Sequence, residues 1–189
     1  LRKGNNPLLF NAKEKVQIVQ SSAVEDRHLN MVDQVICAYN KTRVELNNRA
    51  RADKGIEYSY ISIGEKIICL RNNKSQCLFN GMQGIVSKVK KNSRIDFISD
   101  NTHFENIQYN PDQFGKETNC FEFDDPTNPF DYAYCITCHK AQGDQFNNLM
   151  VFEQKCNKWN HSRWSYTAAS RAVKSLIWVA ADIFLPNYI

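Results

Sequence analysis

The residues best suited to chemistry form a cluster in the second half of the chain, where an apolar segment gives way to polar side chains. Thr137, His139 and Lys140 supply a hydroxyl, an imidazole and an ammonium group, and Gln142 and Gly143 follow shortly after. In open α/β sheets, ligands bind beyond the carboxyl ends of the strands. The cluster therefore predicts a ligand site at the end of a buried strand.

Arg171 is the second candidate, because it falls within residues 162–174, whose spacing predicts a helix. On such a helix it shares a face with Thr167 and Ala168, which are small enough to let a ligand approach closely. An isolated helical arginine more often makes a surface ion pair. Spacing alone therefore leaves both roles open.

These candidates need a framework of strands and helices, and the hydrophobic patterns predict one. Residues 34–39 form an apolar run typical of a buried strand, and the polar stretch 41–54 predicts a helix that ends at Gly55. Residues 6–20 have helix-compatible spacing. Further strands are predicted at 66–70, 84–89, 95–98, 132–138, 148–152 and 175–180, with a loop over 110–129.

Two of these segments resemble known motifs. Residues 134–146 resemble motif V of superfamily 1 helicases, whose RecD-like members read approximately Ala-x-Thr-x-His-Lys-Ser/Ala-Gln-Gly-x-Glu-Phe. Residues 163–172 resemble motif VI, a Tyr-Thr-Ala-x-Thr-Arg-Ala helix followed by an apolar strand. Residues 33–49 and 64–81 are similar to the strand and helix before the inserted module of these proteins and to the start of that module. The chain thus resembles the C-terminal motor domain of RecD/UvrD-like helicases of the exodeoxyribonuclease V alpha type.

The resemblance implies an α/β fold with a RecA-like parallel sheet of the P-loop NTPase type, interrupted by a small SH3-like β-barrel. Residues 1–58 and 127–189 are expected to form the discontinuous RecA-like domain, 2A, and residues 59–126 the inserted module, 2B. Strand and helix alternate at both ends of the chain, with a β-rich stretch between them, which agrees with an insertion. A parse into two consecutive α+β domains is the alternative.

By resemblance, Arg171 is an arginine finger. Such a residue neutralises the charge that phosphoryl transfer spreads over the γ-phosphate, and it contributes about 10³ to 10⁵ in rate. Gln142, Gly143 and Gln145 are expected to contact the nucleotide, although many relatives carry a ribose-binding Glu where Gln145 stands. Arg2 resembles the nucleotide-binding arginine of motif IV.

By the same resemblance, Thr137, His139 and Lys140 contact single-stranded DNA, whose phosphates suit hydroxyl, imidazole and ammonium donors. Taken alone, a histidine at position 139 is more often structural. Motif VI departs from its usual form at Ser170, where relatives carry Thr. Trp159 belongs to a group of aromatic residues that either stack on bases or fill the core. Phe79, Tyr109, Phe114 and Phe121 are the others.

The sequence lacks the Gly-x-x-x-x-Gly-Lys-Ser/Thr loop that anchors ATP phosphates, since its only Gly-Lys pair, Gly115-Lys116, is followed by Glu117. ATP and Mg²⁺ are therefore expected only together with an N-terminal RecA-like domain, which the start at Leu1 suggests is missing. The predicted function is the C-terminal half of an ATP-dependent 5′ to 3′ DNA helicase that is inactive alone. The alternative is a non-catalytic nucleic-acid-binding or regulatory module that retains the fold.

A metal site is not predicted. Cys135, Cys138 and His139 have the Cys-x-x-Cys-His spacing of haem attachment or of half a zinc site, but no second pair accompanies them. In an alternating strand, moreover, the two thiols face opposite sides.

Composition excludes other classes. The chain has 42% hydrophobic and 23% charged residues and a net charge of +4, as in many globular proteins. Its apolar runs are far shorter than the roughly 20 residues of a membrane span. Its seven cysteines indicate free thiols. A cytoplasmic protein is expected.

The helix predicted after residue 40 carries several basic residues, for which a solvated face is favoured over DNA contact. They are Arg43, Arg49, Arg51 and Lys54.

Overall fold

The computed structural model describes residues 15–56, 60–122, 125–155 and 159–180. It divides the chain into two compact units. The first comprises the described parts of Leu1–Arg43 and Ile136–Ile189, and the second, Val44–Cys135, is inserted between them. The predicted boundaries of the inserted module, 59–126, stay a prediction.

The first unit is built on a five-stranded sheet with the order β1-β10-β9-β2-β8. Its elements are β1 (Val16–Gln20), α1 (Asp26–Leu29), β2 (Gln34–Cys37), the start of α2 (Asn40–Asp53), β8 (Cys135–Thr137), β9 (Phe146–Phe152), α3 (His161–Ala169) and β10 (Ala172–Ala180). The pairs β1·β10, β10·β9 and β9·β2 are parallel. The predicted α/β fold with a parallel sheet is therefore confirmed.

The core of this unit lies in its central strands. All four residues of β2 are buried, and Val35 pairs with the equally buried Met150 of β9. Strands apolar on both faces are typical of a covered parallel sheet. Gln154, just after β9, accepts hydrogen bonds from the backbone N–H groups of Ala38 (2.8 Å) and Tyr39 (3.2 Å). These two hydrogen bonds fix the direction of the backbone between the end of β2 and the start of α2.

Two predictions for this unit are wrong in part. Residues 6–20 were expected to be helical, but within their described portion, 15–20, Val16–Gln20 is a strand paired with β10. The helix expected at 162–174 ends at Ala169, and β10 begins at Ala172 rather than at 175. In both places the sheet's parallel ladder satisfies backbone groups that a helix would otherwise have paired.

The second unit contains a five-stranded sheet with the order β6-β5-β4-β3-β7. Its strands are β3 (Lys66–Cys69), β4 (Gln83–Lys90), β5 (Arg94–Ser99), β6 (Thr102–Gln108) and β7 (Phe130–Tyr132), and neighbouring strands run antiparallel. Phe97 anchors its core, stacked on Phe104 with ring centroids 4.7 Å apart and edge-on to Phe130 at 5.5 Å. The antiparallel β structure agrees with the sequence, and its SH3-like character stays a prediction.

A buried ion pair joins α2 to the loop before β3 within this unit. Arg51 is 0% exposed, and its Nε donates to Oε1 of Glu65, which is also 0% exposed. The guanidinium donates to the Tyr60 carbonyl (2.7 Å) and lies 3.9 Å from the centroid of the Tyr132 ring. The expectation that Arg51 sits on a solvated face is therefore wrong, because its charge is met inside the unit.

Among the described residues, no helix is both long and apolar enough to span a membrane.

Candidate functional site

The candidate site begins at the turn that follows β8. The backbone N–H groups of Lys140 and Ala141 both donate to the carbonyl of Thr137, at 2.9 and 3.1 Å. The turn therefore reverses the chain as soon as the strand ends. His139 and Gln142 project from it as exposed side chains, as the sequence predicts for residues at a strand's carboxyl end.

Gly143 closes this turn with a left-handed backbone, at φ +98°. A Cβ at this position would meet no heavy atom within 4 Å, so the conformation, and not crowding within the chain, favours glycine here. The open surface around Gly143 leaves its backbone accessible to a ligand. Gln145, which precedes β9, is also exposed.

Arg171 lies one residue beyond the C-cap of α3, so it does not share a helical face with Thr167 and Ala168 as expected. Its guanidinium folds back instead. Nε donates to the Thr167 carbonyl (3.3 Å), one terminal nitrogen to the Asp144 carbonyl (3.4 Å) and the other to Ser170 Oγ (3.0 Å). These acceptors are all neutral, so within the described residues the charge of Arg171 stays uncompensated.

The backbone also ties Arg171 to the turn. The N–H of Phe146, the first residue of β9, donates to the carbonyl of Arg171 (2.8 Å), and Ala172 pairs in register with Phe146. Arg171 and the segment carrying Gly143 and Gln145 are therefore neighbours, as the sequence motifs suggest.

Cys138 is buried between these groups. Burial raises the pKa of its thiol, while the Arg171 guanidinium opposes that rise. The neutral thiol is thus favoured, which suits a structural cysteine more than a metal-binding thiolate. Among the described residues, no three His, Cys, Asp or Glu side chains gather into a possible metal site.

A cleft opens between the turn after β8 and helix α3, with a volume of about 260 Å³. It is called the turn–helix cleft below. Aromatic and polar side chains share its lining, and those that matter here are His139, Gln142, Trp159, Arg163, Trp164 and Thr167. Trp164 is 7% exposed and packs edge-on against Trp178, with centroids 6.2 Å apart. The Asn160 side chain caps α3 by accepting from the Arg163 N–H (3.0 Å).

The structure thus brings His139 and Gln142 into one cleft, although the sequence motifs assign them to different ligands. Thr137 and Lys140 lie at the strand end beside it, outside the lining. Arg2 lies outside the described residues. The roles of all these residues stay predictions.

Sequence reasoning missed Arg163 and Trp164 as lining residues. Their position two to three residues before the Tyr-Thr-Ala segment of motif VI was the available signal.

Comparison with known proteins gives concordant matches. Residues 132–179 match the model of the UvrD-like helicase C-terminal domain family. The RecBCD enzyme subunit RecD of Buchnera aphidicola is 31% identical over 126 residues, a stretch covering 65% of this chain and 18% of that subunit.

Solved structures agree at the level of the fold. Bacteroides Pif1 bound to ssDNA superposes with a TM-score of 0.57 at 19% identity, over 86% of this chain and 47% of that one. The Pif1 helicase of Candida albicans gives 0.54 at 16% identity, over 93% and 52%. The chain therefore spans about half the length of these Pif1 chains and under a fifth of RecD.

Proposed function

We propose that this chain, a C-terminal domain of the RecD- and Pif1-like superfamily 1 helicases, forms one half of an ATP-driven motor on single-stranded DNA. Its relatives include a RecD subunit and a Pif1 bound to ssDNA. In this proposal the first unit is the second RecA-like motor domain, and the inserted β module is the SH3-like 2B element. The direction of movement is 5′ to 3′, and the motor acts in the cytoplasm.

The observation that carries the proposal is the setting of Arg171. Within the part of the chain that the structure describes, its guanidinium touches only neutral acceptors, and it is tied to the turn that carries Gly143. An arginine with an uncompensated charge is suited to neutralise the charge that builds up on a transferred phosphoryl group. Arg171 therefore acts as the arginine finger for ATP bound by a partner domain.

The residues of the turn fit part of a nucleotide. Gln142 offers both a donor and an acceptor, and the open backbone at Gly143 allows a phosphate or ribose to approach. Gln145, exposed beside them, completes the set predicted to contact the nucleotide, together with Arg2. Mg²⁺ does not fit here, because no cluster of carboxylates lies among the described residues. In the proposal, Mg²⁺ is held by the domain that anchors the ATP phosphates.

Single-stranded DNA passes at the end of β8. Thr137, His139 and Lys140 lie together there, and their donors suit phosphate oxygens. The same turn thus carries DNA contacts at one end and nucleotide contacts at the other, so ATP turnover alters the grip on DNA.

The test measures DNA-stimulated ATP hydrolysis by the polypeptide or complex that combines this chain with its ATP-anchoring domain. Arg171→Ala is expected to lower turnover by about 10³-fold or more while DNA affinity stays largely intact. Lys174→Gln, which removes an exposed positive charge from β10 in the same unit, serves as the control and is expected to retain most turnover. Unchanged turnover in Arg171→Ala would remove the arginine from the mechanism. Robust hydrolysis by the 189 residues alone would refute the need for a partner domain.

A further inference from the structure

The turn–helix cleft has a lining suited to an anion with an aromatic part. Among the residues that the structure describes, its lining includes no Asp or Glu. The side chains of His139, Gln142 and Arg163 make no hydrogen bond or ion pair within the described residues, and the indole Nε1 of Trp159 is buried without a partner there. Polar groups that converge on one cleft without protein partners are typical of a ligand site.

The size of the cleft limits the ligand. Its volume of about 260 Å³ falls below the roughly 300–1,000 Å³ of sites that enclose a whole small molecule or cofactor. A nucleoside triphosphate would exceed it. A single base with its adjoining phosphate is a closer match, and one end of the cleft is open to solvent through the exposed His139, Gln142 and Arg163.

Trp159 is held ready for stacking. Its ring lies 5.2 Å from that of Tyr39, at an angle of 39°, and the Tyr39 hydroxyl is fixed by a bond to the Lys155 carbonyl (2.9 Å). A ring that is already positioned loses little conformational entropy when a base stacks on it. Arg163 is placed just as firmly at its backbone, because its N–H is bound by the α3 cap residue Asn160.

We infer that the turn–helix cleft seats one base of single-stranded DNA, with Trp159 stacking on the base and Arg163 binding the adjoining phosphate. The inference rests on the proposed function, since it assumes that DNA passes the end of β8. It adds a stacking contact outside both sequence motifs, because Trp159 precedes residues 163–172 and follows residues 134–146. Arg171 does not line the cleft, so base seating and phosphoryl transfer use different arginines.

The experiment measures binding of the full 189-residue chain to a labelled oligodeoxythymidylate of about 12 nucleotides, a length within the usual site sizes for single strands. An abasic deoxyribose-phosphate oligomer of the same length is the comparison ligand. Trp159→Ala is expected to weaken binding of the oligodeoxythymidylate by about 10-fold or more and to leave the abasic ligand unaffected. Trp159→Phe keeps a stacking face and is expected to restore most of the affinity, which separates lost stacking from misfolding.

Arg163→Gln is expected to weaken both ligands and to reduce the slope of log affinity against log salt by about 0.7, the value for one phosphate contact on a single strand. Lys174→Gln removes an exposed positive charge from β10 in the same unit and is expected to leave the slope unchanged.

If Trp159→Ala lowered the affinity for both ligands equally, or for neither, the proposed base-binding role of the turn–helix cleft would be overturned. DNA binding by the chain would still stand. No binding by the unsubstituted chain would overturn the base-binding role as well. The proposed function is judged separately by the ATP hydrolysis of Arg171→Ala.

Discussion

Removing Glu65 is expected to destabilise the inserted unit strongly. Its Oε1 accepts from Arg51 Nε and its Oε2 from the Ser62 N–H (2.7 Å), and both members of the pair are fully buried. Glu65→Ala would remove the buried carboxylate that accepts from Arg51, while the contacts of Arg51 with the Tyr60 carbonyl and the face of Tyr132 remain. Removing one partner of a buried ion pair costs about 3–5 kcal/mol. An expected loss of about 4 kcal/mol corresponds to a roughly 10³-fold shift in the folding equilibrium.

Replacing both partners by apolar residues should cost much less, because neither charge then remains buried. Arg51→Met with Glu65→Leu is expected to fall within about 2 kcal/mol of the unsubstituted protein. Glu45→Ala removes an exposed carboxylate from the same helix, and its expected effect is below about 0.5 kcal/mol.

Urea unfolding followed by circular dichroism measures these changes, with hydrogen exchange in β3 and β7 to locate them. All three tryptophans, Trp159, Trp164 and Trp178, lie in the first unit, so their fluorescence reports on that unit separately. A loss below about 1 kcal/mol in Glu65→Ala would refute this expectation, since it would mean that the buried Arg51 charge does not depend on the Glu65 carboxylate.

Two further perturbations test the same unit. Gly84→Ala would place a Cβ 2.6 Å from Phe97 Cδ2 and 2.8 Å from the Ile98 carbonyl, and the urea midpoint should fall by the equivalent of about 1–3 kcal/mol; an unchanged midpoint would contradict this packing. The pKa of Asp96 is lowered by a hydrogen bond from the Asn106 backbone and then by Lys90. Its contribution to stability is therefore present above the unfolded-state value of about 3.9 and lost as pH falls below it. The stability advantage over Asp96→Asn should shrink between about pH 7 and pH 3, and a constant difference would exclude the carboxylate as its source.

Local patterns were enough to predict much of this structure. The apolar run that became β2 is buried at every position, and the helix after it ends where Gly55 adopts a left-handed backbone at φ +68°. The confirmed parallel sheet was predicted from such patterns, and the similarity to helicase C-terminal domains from residues 134–146 and 163–172. The turn after β8 also lies where the polar cluster predicts it.

Other features depend on partners distant in the chain. Val16–Gln20 has helical spacing, but its backbone instead pairs with β10 in the parallel sheet. From the sequence, Arg51 resembles an ordinary surface charge. It is buried because it pairs with Glu65, fourteen residues later in the chain. Strand β6 was not predicted, because polar residues occupy both of its faces and Asn106 interrupts it with φ +58°. The turn–helix cleft needs two segments that only the folded sheet brings together.

One of the links between Arg171 and the turn is made by main-chain atoms alone, and this affects how the protein can evolve. The Phe146 N–H and the Arg171 carbonyl exist whatever side chains occupy these positions. Substitutions can therefore change the side chains of the turn while the hydrogen bond between the two segments persists. Proline at position 146, which lacks the N–H donor, would remove this hydrogen bond. The hydrogen bond between Phe146 and Arg171 therefore depends on the backbone fold, and the side chains around it can diverge without breaking it.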